Sequence, residues 1–233
     1  MSIEIFLRLL FAHLIADFFL QTDKLCEMKK AKPSVGLPTH SLIHAVCSYM
    51  IVGEWTNLMI PVIIFVSHLA IDWAKIKYMQ DGVKGFLLDQ TLHLVVLLAL
   101  SFNCTTTLTP SVIAIASQAL APQIILLLCG YLLMLKPSSI FLSLLLKQWN
   151  VKFKNQSLPN AGKWIGYLER ILILTFVITN NFEGVGFLLA AKSVFRFGDL
   201  NKANDIKVTE YVLIGTLTSF ATAIMTGIII KQL

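Results

Sequence analysis

Apolar residues in this chain arrive in runs close to the thickness of a bilayer, parted by short polar links. A membrane helix needs about 20 largely apolar residues, and inside lipid only helices and closed barrels satisfy every backbone polar group. Composition agrees: 56 % of the 233 residues are hydrophobic and 14 % charged, against about 25 % charged in soluble domains. Mean hydropathy is +0.75. An ordinary soluble enzyme, a disordered chain and a disulfide scaffold are excluded. The expected fold is an all-α, polytopic transmembrane helical bundle of about eight membrane helices.

The runs fall near residues 3–21, from Pro38 to the polar stretch 54–57, then 61–78, 86–102, 112–135, 164–179, 184–197 and 209–230. Pro137 breaks the fifth, and the short apolar stretch 140–149 reads as interfacial. The first run lacks a basic start and a small-residue cleavage site, so it reads as a retained helix rather than a cleaved leader. Cys26, Cys47, Cys104 and Cys129 show no CxxC spacing and read as packing residues or free thiols. Lys and Arg gather in alternate links, with Lys24, Lys29, Lys30 and Lys32 in the first. The positive-inside rule then places those links in the cytoplasm and both termini outside, with Arg8 and Lys231 as mild exceptions. The net charge of +6 is accounted for this way, and no nucleic-acid partner is implied.

Each of the five histidines has a His or Asp one helical turn away: His13 with Asp17, His40 with His44, His68 with Asp72, and His93 with Asp89. Residues at i and i+4 share a helix face, so each pair presents two ligands to one side. His and Asp together number twelve, so one histidine finds such a partner by accident roughly one time in ten. Five of five is not accidental. The pairs also sit at helix ends that meet the basic links, which puts all eight side chains at one depth. HLIAD at 13–17 repeats as HLAID at 68–72, and each is followed by a helix with a terminal His, HSLIH and DQTLH. This predicts a duplicated hairpin about a pseudo-twofold axis. The expected organisation is a four-helix metal-site half over 1–105, with repeats 1–57 and 58–105, and a second membrane-helix half over 106–233.

A buried Asp costs about 2.5–3.5 kcal/mol on insertion scales, so three cost up to roughly 10. A well-formed zinc site returns about 10–16 kcal/mol. His13, Asp17, His40, His44, His68, Asp72, Asp89 and His93 are therefore candidate ligands for one or two divalent ions, zinc by preference, with manganese or iron also compatible. The competing reading is a polar network in which His–Asp pairs satisfy each other and glue helices together. In the second half Lys192 and Arg196 are one turn apart and can clamp a lipid phosphate. The plainer alternative has Arg196 ending its helix in water, while Glu169, Arg170 and Glu210 pair internally. GVG at 184–186 follows no strand and is a packing feature, not a dinucleotide loop.

LFAHLIADFFLQTD, THSLIHA, HLAIDWAK and LLDQTLH, with GKWIGYLERILILTFV, GFLLAAKSVFRF and TEYVLIGTLTSF later, resemble the DUF3307 family of bacterial integral membrane proteins. That resemblance covers most of the chain and implies a bacterial inner-membrane protein. The HxxxD and HxxxH helices are also similar in style to membrane-bound metal-dependent hydrolases, and through them to all-helical zinc phospholipases and nucleases. The amino-terminal Trp ligand of those soluble enzymes is missing here, which argues against a trinuclear site. The expected function is a divalent-metal-dependent hydrolase of a phosphoester, a lipid phosphate, at the cytoplasmic leaflet. Asp17, Asp72 and Asp89 are its candidate catalytic residues, one of them the base. Lys75, Lys192 and Arg196 are candidate phosphate contacts. The alternatives are a divalent-cation transporter, a di-iron oxidase and a non-enzymatic membrane scaffold.

Overall fold

The computed structural model describes residues 3–79, 81–103, 121–149, 151, 158, 160–203 and 206–233, without the side chains of 103 and 195–203. These residues are helical throughout, with short links and no strand. Five helical stretches among them are long and apolar enough to cross a membrane: Pro33–Val52, Met59–Tyr78, Val83–Phe102, Pro122–Trp149 and Ile206–Gln232. The chain divides into two compact units, Met1–Cys129 and Gly130–Leu233. The boundary expected near residue 105 lies outside the described residues, as does Cys104.

In the first unit, α1 (Ile3–Ile15) runs into a single π-helical turn, Ala16–Leu20. The lysine-rich link then folds as a helix of its own, α2 (Asp23–Ala31). Its N-terminus is capped by Thr22, whose Oγ1 accepts from the Leu25 N–H at 3.3 Å. Lys29 and Lys30 lie in its last turn, where they favour the negative end of the helix dipole. The second membrane helix, α3 (Pro33–Val52), begins five residues earlier than expected. Pro33 takes the first helical position, where its missing N–H is no loss. Pro38 therefore lies inside the helix rather than opening it. Close behind it, Thr39 Oγ1 donates to the Val35 carbonyl at 2.8 Å. Gly53, at φ 76°, ends α3 in the left-handed conformation that glycine adopts without penalty. α4 (Met59–Tyr78) and α5 (Val83–Asn103) come next.

These helices close a ring: α1 packs on α3, α3 on α4, α4 on α5, and α5 on α1, with α2 docked on α3. The duplicated hairpin thus forms a four-helix bundle. Along α4 the buried positions are Ile60, Ile64, His68 and Asp72, a four-residue spacing that puts them on one face. Its outward positions include Met59, Val62, Val66 and Trp73, each at least half exposed. Polar side chains inside and apolar ones outside is the arrangement of a helix in lipid, not in water. At one end of the ring Ile5, Leu9, Val52, Ile60, Ile64, Leu97 and Leu100 form an apolar plug. Arg8 is buried at that end, ion-paired to Glu4 at 2.7 Å and donating to the Ile51 carbonyl near the end of α3.

α6 (Pro122–Met134) leads into the second unit, where Pro137 sits just inside the start of α7 (Lys136–Leu146). A 3₁₀ turn, Lys147–Trp149, ends that stretch. α8 (Ala161–Ile178), α9 (Phe182–Ala203) and α10 (Ile206–Gln232) complete the unit. α8 packs on α7, α9 and α10, and α7 also packs on α10. The core is Met134, Ile173, Leu174, Val177, Val185, Phe220 and Ala223. Arg170 is 2 % exposed in this unit and, among the described residues, forms no ion pair with a carboxylate. Its Nε donates to the Met134 carbonyl at 2.7 Å, Nη2 to Ser139 Oγ at 2.8 Å and Nη1 to Ser219 Oγ at 3.3 Å. The carbonyl end of α6 carries partial negative charge, which suits a buried cation. Glu169 pairs instead with Lys192, at 2.5 Å, and Glu210 is exposed.

Candidate metal centre

The side chains that gather at the polar level of the ring come from every one of its helices. Asp17 stands in the π-helical turn that extends α1. A π turn adds a residue to the helical repeat, so the positions after it face a different direction than they would on a plain α-helix. His40 and His44 lie on the buried face of α3, and His68 and Asp72 on that of α4. Asp89 and His93 come from α5 and are 1 % and 3 % exposed.

Two groups converge. Asp17, His40, His44 and His68 each offer a ligand atom, and these atoms all lie within 4.8 Å of one another. His68, Asp72 and His93 form the second group on the same criterion. His40 Nε2 is 3.2 Å from Asp17 Oδ1 and 3.2 Å from His68 Nε2. His44 Nε2 is 3.7 Å from Asp17 Oδ1. In the second group His93 Nε2 is 3.8 Å from Asp72 Oδ1 and 3.6 Å from Asp89 Oδ1. Asp72 also faces the first group, its Oδ2 being 3.7 Å from His40 Nε2.

These spacings test the fit of a metal. Ligand atoms about 2.0–2.1 Å from a tetrahedral zinc stand roughly 3.3 Å apart. Separations of 3.2–3.8 Å fit co-ligands of one ion; the 3.2 Å contacts are also hydrogen-bond distances, whereas the longer ones are too long for hydrogen bonds. Among the buried cluster atoms that make no hydrogen bond to the described residues are His44 Nε2 and Asp89 Oδ1. Leaving such an atom unsatisfied costs about 1–3 kcal/mol, and a cation would satisfy both.

Neutral and cationic side chains complete the cluster. Gln90 joins two of the carboxylates: its Nε2 donates to Asp17 Oδ2 at 2.9 Å and to Asp89 Oδ2 at 3.3 Å. Its Oε1 lies 3.3 Å from His13 Nε2. His13 thus stands outside both ligand groups, among the rings of His44, His68 and His93 at centroid distances of 5.2–5.9 Å. Lys29 reaches in from α2 to Asp72 Oδ2 at 2.5 Å, and Lys75 holds Asp89 Oδ2 at 2.6 Å. Lys29 is 8 % exposed as a residue, whereas the Lys75 side chain is 41 % exposed. Against the imidazoles, on the side of the plug, lies a cavity lined by His13, His44, Ser48, His68, His93 and Leu97 among others.

The sequence pattern points to the His and Asp residues of the cluster but not to Gln90 or Lys29. Gln90 carries no periodic signal of its own, and Lys29 sits in a run of lysines that all read as solvated. Of the three expected phosphate contacts, Lys75 belongs to this cluster. Lys192 pairs with Glu169 and lies over the Phe220 ring in the second unit. The Arg196 side chain lies outside the described residues.

No curated protein and no solved structure matches the chain. A family model described as "Protein of unknown function (DUF3307)" matches residues 5–121, which include every His and Asp of the cluster. That match spans half of the 233 residues, and the chain belongs to the DUF3307 family.

Proposed function

We propose that this chain is a membrane-embedded, divalent-metal-dependent hydrolase whose substrate is a phosphoester, specifically a lipid phosphate at the cytoplasmic leaflet of the bacterial inner membrane. The observation that carries the reading is the pair of His/Asp groups whose donor atoms stand at co-ligand spacing, with ammonium groups on two of the carboxylates. The donor set of imidazole and carboxylate suits zinc, with manganese or iron as further candidates. Ions held there supply Lewis-acid polarisation of a phosphoryl oxygen and activation of water. Asp17, His40, His44 and His68 hold one ion, and His68, Asp72, Asp89 and His93 surround the other. Gln90 orients Asp17 and Asp89 through its amide, a role second-sphere partners commonly play. Lys75, at the rim, attracts the phosphate charge. An aspartate not fully engaged by metal takes the proton from water.

A polar network whose only task is to join helices accounts less well for the site. It leaves His44 Nε2 and Asp89 Oδ1 in a buried setting without a hydrogen bond to the described residues. A cation carrier is disfavoured by the apolar plug of Ile5, Leu9, Val52, Ile60, Ile64, Leu97 and Leu100, which lies across one end of the ring.

The test is purification in mild detergent without chelator, followed by metal analysis by mass spectrometry. Phosphate release from phosphatidic acid in mixed micelles is then compared with release from a soluble aryl phosphate. One to two equivalents of metal with release that requires metal is the expected result. Metal without hydrolysis of either ester removes the hydrolase, and absence of metal under every loading condition removes the centre as well.

A further inference from the structure

The two ligand groups differ in their charged surroundings. Asp17, in the first group, is held by imidazoles and by the neutral amide of Gln90. Asp72 and Asp89, at the second, each carry an ammonium ion at 2.5–2.6 Å, from Lys29 and Lys75. Histidines that bind metal do so as neutral imidazoles. Three carboxylates against two ammonium groups leave the cluster with one net negative charge. One divalent ion already turns that into a net positive charge. A second brings the buried cluster to three positive charges, which a low-dielectric interior does not sustain without compensation.

We propose that the second metal ion and a phosphate group bind together, each raising the affinity of the cluster for the other, with Lys29 and Lys75 as the residues that enforce the coupling. A phosphate monoester dianion is the ligand chemistry that fits. It neutralises the excess charge, offers oxygens to two metal ions, and gives the displaced ammonium groups new partners. Lys29 belongs to α2 rather than to the ring, and its side chain is only 10 % exposed. It stays within reach of the cluster because α2 is docked on α3. Coupling of this kind is reciprocal: phosphate tightens the metal by the same factor as the metal tightens phosphate. This inference rests on the metal centre proposed above and assigns the order in which it fills.

The experiment is a Mn²⁺ titration of the full chain in detergent, reading free Mn²⁺ by electron paramagnetic resonance. It is run alone, with inorganic phosphate, and with a short-chain phosphatidic acid. The wild type is expected to show one tight and one weak equivalent, the weak one tightened at least tenfold by phosphate in one or both forms. Tightening by phosphatidic acid alone identifies a lipid headgroup as the ligand, and tightening by inorganic phosphate shows that the free anion suffices. The double variant Lys29→Gln, Lys75→Gln is expected to bind its second ion tightly without phosphate and to lose the dependence. Lys29→Arg, which keeps the charge, is expected to retain it and serves as the control for folding. Two equivalents of equal affinity, indifferent to both phosphates and to the lysine variants, would overturn the coupling while leaving the metal centre in place. Failure to bind any Mn²⁺, Zn²⁺ or Fe²⁺ would instead overturn the centre on which it rests.

Discussion

The Nε2 atoms of His40 and His68, 28 residues apart in the chain, face each other at 3.2 Å in the buried centre of the first unit. Two neutral imidazoles can meet this way only if one donates and the other accepts. Both can instead face one cation. His68 belongs to both ligand groups and His40 to the first alone. His68→Ala should therefore lose all bound metal, while His40→Ala should empty the first position and keep part of the total. Metal analysis of the two purified variants checks this, and equal retention in both would contradict a shared role for His68.

Gln90 is expected to matter although it ligates nothing. Its amide ties Asp17 to Asp89 and faces His13. Gln90→Leu keeps the volume and removes all three contacts. Loss of such an orienting partner typically lowers metal affinity 10–100-fold. Competition against a chromogenic chelator measures it, and an unchanged affinity would show that the carboxylates hold their positions unaided.

Gly36 sets how closely α2 approaches α3. A Cβ there would lie 2.6–2.7 Å from the backbone of Met28 and Lys29, where no flexible side chain can yield. Gly36→Ala should destabilise the protein by about 1–3 kcal/mol, the usual range for overpacking. It should also pull Lys29 away from Asp72. Limited proteolysis within 23–31 is expected to accelerate, and thermal unfolding in detergent to shift downward.

Arg170 joins α6, α7, α8 and α10 through three hydrogen bonds to neutral acceptors. Arg170→Met fills much of the space but strands the Met134 carbonyl and the hydroxyls of Ser139 and Ser219. With charged hydrogen bonds contributing about 1.5–3 kcal/mol each before the gain from removing a buried charge, a net loss of about 2–3 kcal/mol is expected. Arg170→Lys should recover little, because a single ammonium cannot reproduce the planar fork. Denaturation in mixed micelles distinguishes the two outcomes.

Much of the first unit is legible in the sequence because the His and Asp residues of its cluster obey helical periodicity. His68 and Asp72 share a face of α4 with Ile60 and Ile64, so one four-residue rhythm encodes both the plug and the cluster. The bilayer-length runs likewise predict an all-helical fold. Features that depend on tertiary contact are not legible. Pro38 reads as a helix start because proline lacks a donor, yet Pro33 already occupies that place. Lys29 resembles its neighbours Lys24, Lys30 and Lys32 until α2 folds against α3 and turns it inward. His13 and Asp17 read as a matched pair, but Asp17, in the π turn, joins the first donor group, whereas His13 stands outside both groups and meets Asp17 only through Gln90. Arg170 and Glu169 are adjacent in sequence and of opposite charge, yet successive helical positions point apart, and each finds its partner elsewhere.

The apolar stopper formed by Ile5, Leu9, Val52, Ile60, Ile64, Leu97 and Leu100 has a consequence for traffic. It sets an apolar layer across one end of the ring of helices. An ion bound at the imidazoles would exchange more readily away from this layer, on the side where Lys29 and Lys75 stand. Exchange from that side keeps a last-in, first-out order: an ion seated deepest outlasts many exchanges of whatever sits above it. On the two-ion reading proposed above, the innermost cation would be retained while only the outermost guest exchanged.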